Sequence, residues 1–95
     1  MAMLLRIDGS SEKLTPANGT HWSLAEMQTL VGGYIQIVNT KGKHWLVLDE
    51  EGKLKGRPVN RAATQLYEYG KLDPVVGDAL LIDNYAELNG PEDEE

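Results

Sequence analysis

The chain has 95 residues, a formal charge of −6, no cysteine and no phenylalanine. That length suits one domain with one modest core, burying roughly 60–70% of the unfolded chain's surface. Without cysteine there are no disulfides, no thiolate catalysis and no cysteine-ligated zinc or iron–sulfur site, and the negative balance argues against direct nucleic-acid or acidic-membrane binding.

Charge is unevenly spread. Residues 41–71 hold seven basic side chains (Lys41, Lys43, Lys53, Lys55, Arg57, Arg61, Lys71) against four acidic ones (Asp49, Glu50, Glu51, Glu68), whereas residues 72–95 hold eight acids and no base. A local anion site is therefore compatible with a globally acidic protein. The longest apolar runs are about five residues, far short of a membrane span. The first residues lack a basic stretch ahead of a long apolar one, so they do not read as a signal peptide.

Met3 to Ile7 reads as a first strand, with Leu5 and Ile7 on one face. Asp8-Gly9-Ser10-Ser11 and Thr15-Pro16-Ala17-Asn18-Gly19 are turn chemistry, so residues 8–20 read as an irregular connection with a short extended piece near Leu14. Ser23 followed by Glu26 is a capping box, and Trp22 with Met27 makes the matching hydrophobic staple. Leu24, Met27, Leu30 and Val31 share one helical face, and Gly32-Gly33 ends the helix because glycine accepts the left-handed cap conformation. Tyr34 to Val38 follows as a strand with Ile35 and Ile37 on one face.

Asn39 to Lys43 is a hairpin loop, and His44 to Leu48 the returning strand. Its apolar run Trp45-Leu46-Val47-Leu48 does not alternate, which predicts a strand covered on both faces. Asp49-Glu50-Glu51-Gly52 predicts a solvated tight turn, and Lys53-Leu54-Lys55 a short edge strand guarded by its lysines. Pro58 keeps Arg57 extended, and Asn60 caps a second helix ended by Gly70. Val75 to Ile82 is the last strand, bent or bulged at Gly77-Asp78. The expected fold is α+β: a small, mostly antiparallel sheet of four to five strands with two helices packed on it. Residues 1–88 read as a single domain and 89–95 as a disordered acidic tail.

Four stretches together resemble a known family. They are Leu30-Val31-Gly32-Gly33-Tyr34-Ile35, the turn Glu51-Gly52-Lys53-Leu54, Pro58-Val59-Asn60-Arg61-Ala62-Ala63-Thr64, and Val76-Gly77-Asp78-Ala79-Leu80. In this order and spacing, across about residues 22–82, the chain resembles the small phage- and plasmid-encoded proteins of domain-of-unknown-function family 3846. The resemblance implies a mobile element inside a bacterial cell, hence a cytoplasmic setting. It supplies no reaction and no catalytic residues.

The residues themselves offer one candidate site. Lys55-Gly56-Arg57-Pro58-Val59-Asn60-Arg61 places cations before and at the start of a helix, where free N–H groups favour an anion. Arg57 and Arg61 can each fork onto a phosphate or carboxylate. The plainer reading is a solvated basic edge on which Asn60 serves only as a cap. Among the aromatics, Trp45 is expected in the core and Tyr69 exposed, so the binding set is Lys55, Arg57, Asn60, Arg61 and Tyr69. His21 and His44 lack metal-ligand spacing. Asp49, Glu50 and Glu51 sit adjacent in a turn rather than across a cleft, and no phosphate-loop pattern occurs. No catalytic residue, metal or cofactor is expected.

The leading expectation is thus a non-enzymatic accessory protein acting by binding: a counter-defence inhibitor that sequesters a host protein or a small anionic nucleotide. The alternatives are a structural, self-associating accessory protein forming a homo-oligomer through an exposed strand, and a nucleotide hydrolase.

Overall fold

The structure, a computed structural model, describes residues 2–17, 19–42, 44–83 and Leu88. The acidic tail read over 89–95 lies outside the described residues. Five strands form one sheet: β1 (Ala2–Leu5), β2 (Ser11–Leu14), β3 (Ile35–Asn39), β4 (Trp45–Asp49) and β5 (Ala79–Ile82). Their order is β2-β1-β5-β4-β3 and every pairing is antiparallel. With helices α1 (Leu24–Val31) and α2 (Arg61–Leu66), the class is α+β, as expected.

Strand alternation splits the core in two. Ala2, Leu4, Val47, Leu80 and Ile82 form one cluster with Trp22 and with Met27 and Val31 of α1. Leu5, Leu46, Leu48 and Ala79 form the other, with Val75 and with Ala63 of α2. Because Leu46 and Val47 are neighbours in one strand, the clusters lie on opposite faces of the sheet. β4 is accordingly covered on both sides, which its unbroken apolar run had implied.

The start of α1 is the capping box the sequence specifies. The Ser23 hydroxyl accepts from the Glu26 N–H at 3.1 Å, and the Glu26 carboxylate accepts from the Ser23 N–H at 2.9 Å. The same carboxylate accepts from the Ala17 N–H at 2.9 Å, tying the preceding loop to the helix. Gly32, at φ 89°, closes the helix with its N–H on the Gln28 carbonyl.

Five local expectations are corrected. Residues 11–14 are a true strand, because β1 supplies a partner along the whole of Ser11–Leu14. Lys53–Lys55 is not an edge strand. Residues 51–56 coil in consecutive turns, Lys55 N–H bonding the Glu51 carbonyl and Gly56 N–H the Lys53 carbonyl. Leu24 is 56% exposed, since the buried stripe of this short helix is only Met27 and Val31, flanked by Leu30. The second helix stops at Leu66 instead of reaching Gly70. Tyr67 leaves the helical conformation (φ −66°, ψ 134°) and bridges to Thr40 beside β3. The last strand likewise begins at Ala79; Val76 only bridges to Val59, and Gly77, at φ 80°, makes the bend.

Candidate functional site

The ends of α1 and β4 and the loop after β4 meet at one carboxylate. Asp49 is the last residue of β4, and its side chain is fully buried. Lys55 Nζ donates to Asp49 Oδ2 at 2.9 Å, and Arg57 Nε donates to the same oxygen at 2.8 Å. The Glu51 N–H donates to Oδ1 at 2.9 Å, closing the turn after the strand. Both cations reach further. Lys55 Nζ and Arg57 Nη2 donate to the Gly32 carbonyl at 3.1 and 3.0 Å, at the C-terminal end of α1. That is the end of a helix where the backbone dipole favours positive charge.

Burial alone raises the Asp49 carboxyl, but hydrogen bonds from Lys55, the Glu51 N–H and Arg57 outweigh it and hold the group below its ordinary value. Asp49 is therefore a permanent anion near neutral pH, matched by two partly exposed cations. The expected solvated turn holds for exposed Glu50 and Glu51 but not for Asp49, because a strand-end carboxylate facing inward needs partners.

Glycines enclose the same cluster. A Cβ at Gly32 would meet Arg57 Nη2 at 2.7 Å, and one at Gly77 would meet Arg57 Cδ at 2.8 Å. A Cβ at Gly33 would run into Lys55 Nζ and lie 2.8 Å from Asp49 Oδ1. Gly32-Gly33 is thus more than a helix stop: it is the wall that lets Arg57 and Lys55 lie against the backbone. The sequence showed the glycines and the cations, but not that they close on Asp49.

The expected binding residues separate. Lys55 and Arg57 converge on Asp49 and Gly32, with their side chains 37% and 32% exposed. Asn60 is wholly buried. Its side-chain oxygen accepts from the Ala63 N–H, and Nδ2 donates to the Leu5 and Gly77 carbonyls at 2.9 Å each. It caps α2 and also binds the end of β1 to the bend before β5. Arg61 is exposed at the first turn of α2. Tyr69 is 57% exposed, its ring edge-on to Tyr67 at 5.9 Å. The structure brings together Lys55 and Arg57, but not a set of free cations around one point.

A second feature escaped sequence reading. Leu14, Thr15, Trp22, Ala25, Glu26, Thr29 and Leu30 line an open, mainly apolar groove of about 420 Å³ between the end of β2 and the outer side of α1, with Glu26 its one charged residue. Nothing in the sequence pairs Leu14 with α1, because Leu14 is placed there by the pairing of β2 with β1, a contact between distant parts of the chain. Among the described residues, no three His, Cys, Asp or Glu side chains group to hold a metal ion. No helix among them is long and apolar enough to cross a membrane.

The architecture defines a small α+β protein: a five-stranded antiparallel sheet with its glycine-walled Asp49 cluster at one end of β4. The family model for the domain of unknown function DUF3846 matches residues 3–90, and the chain belongs to that family. No curated protein and no solved structure gives a match.

Proposed function

We propose that the protein is a non-enzymatic accessory protein of a mobile element that acts by stoichiometric binding, with a host protein as its partner and inhibition of a host defence as its role. The supporting observation is the groove between β2 and α1, whose lining is mostly apolar and whose helix side presents Ala25 and Thr29 to solvent. A concave apolar strip beside a capped helix suits a protein segment better than a small anion.

The anionic-nucleotide version of the reading draws less support. Lys55 and Arg57 already answer Asp49 and the α1 carbonyl, so an incoming anion would compete with a buried carboxylate. The test is affinity capture from bacterial lysate with the wild type and with the double variant Ala25→Lys, Thr29→Lys. Both positions are exposed, so the variant should melt like the wild type while losing a discrete protein partner. Equal capture by both proteins would remove the groove from the reading. A defined small mass retained in native mass spectrometry would replace the protein partner with a ligand.

A further inference from the structure

The two outer strands of the sheet are protected very differently. β2 carries Glu12 and Lys13, with Glu12 paired to Arg6, and charges of this kind discourage strand addition. β3 reads Ile35-Gln36-Ile37-Val38-Asn39, with no charge, no proline and no bulge in its pairing to β4.

The hydrogen-bond phase of β3 identifies its free groups. Glu50 N–H donates to the Tyr34 carbonyl and Thr40 N–H to the His44 carbonyl. In this register the even-numbered residues of β3 exchange bonds with β4, and the N–H and C=O groups of Ile35 and Ile37 point away from the sheet. The described residues give those groups no partner. Beyond Ile37 the edge is closed, because Glu68 N–H donates to the Asn39 carbonyl and Lys41 N–H to the Leu66 carbonyl. Before Tyr34 the chain turns into α1 through Gly32 and Gly33. What remains open is a short, uncharged window from Ile35 to Ile37, with Tyr34 at 65% and Ile37 at 43% exposure.

We infer that this window is a self-association surface, where β3 pairs antiparallel with β3 of a second copy. The window is self-complementary about Gln36. A two-fold axis there lets Ile35 exchange both main-chain bonds with the partner's Ile37, and reciprocally. The same register sets Ile35 beside the partner's Ile37 on one face and Tyr34 beside the partner's Val38 on the other. Exposed apolar groups are covered, and no charge of the strand meets a like charge. An extended peptide of another protein gains no such reciprocity. The contact is small, so the dimer is expected to be a weak one, with a dissociation constant on the order of 1–100 μM.

The test uses the full chain with native mass spectrometry, light scattering and amide hydrogen exchange across that concentration range. The wild type should shift from monomer to dimer, and the Ile35 and Ile37 amides should gain protection with concentration while Gln36 and Val38 are protected throughout. Ile37→Lys puts a charge on the edge, and Ile37→Pro removes an N–H that faces outward and serves no bond to β4. Either should weaken the dimer by about tenfold or more, with the melting temperature of the monomer showing whether the fold is retained. A wild type that stays monomeric overturns the inference. So does a dimer that persists unchanged in a folded variant, or one whose concentration-dependent protection falls outside β3.

Discussion

Replacing Asp49 with alanine should be among the most destabilising single substitutions in this protein. The side chain is fully buried and accepts from Lys55 at 2.9 Å, Arg57 at 2.8 Å and the Glu51 N–H at 2.9 Å. Removing one partner of a buried pair costs about 3–5 kcal/mol, because the opposite charge is left uncompensated. Here the cations are about one-third exposed and regain some hydration, which reduces the expected loss to about 2–4 kcal/mol. That is a large part of the roughly 5–10 kcal/mol a domain of this size holds. With each kcal/mol worth roughly 4–8 °C in a chain this short, the melting temperature should fall by about 10–25 °C. Urea unfolding should show the same change in midpoint with little change in slope. Asp49→Asn, which keeps the volume and one acceptor, should lose less. A fall of under about 4 °C for Asp49→Ala would refute the claim that this cluster fastens α1 to β4.

Arg57→Ala and Arg61→Ala, which look equivalent in the sequence, should separate: the first lowers the melting temperature because Arg57 holds Asp49 and Gly32, and the second leaves it within about 2–4 °C, the effect of a surface change. Asn60→Ala should cost about 2–4 kcal/mol in denaturant unfolding, combining a lost cap with two buried carbonyls left without a donor. Acid should destabilise the protein through carboxyls whose folded values lie below their unfolded ones. Asp49 is one, and Glu26, held low by the Ser23 and Ala17 N–H groups, is another. Their stabilisation is complete above the unfolded values of about 3.9 and 4.3 and disappears as pH falls through the folded ones. Melting temperature should therefore change little from about pH 7 to 5 and drop below about pH 4, the drop being smaller in Asp49→Asn.

Local chemistry was legible wherever it closes within a few residues. Ser23 and Glu26 satisfy each other three positions apart, Gly32 takes its left-handed conformation at once, and Asn60 caps the turn it begins. The unbroken run Trp45–Leu48 also disclosed its place in the sheet, since only a strand covered on both faces tolerates it. These are properties of sequence spacing, and no tertiary contact is needed to read them.

Tertiary structure decided the rest, because the deciding partners are far apart in the chain. β2 is a strand only because β1 lies alongside it, and Lys53–Lys55 is a turn because Lys55 and Arg57 fold back on Asp49. Asn60 reads as a cap in sequence, yet its amide also holds Leu5, 55 residues away. The basic segment looked available to an outside anion because its internal anion is hidden at the end of an apolar strand. Charge counted along a chain does not say which charges are already answered; only the packing of α1, β4 and the loop between β4 and α2 does.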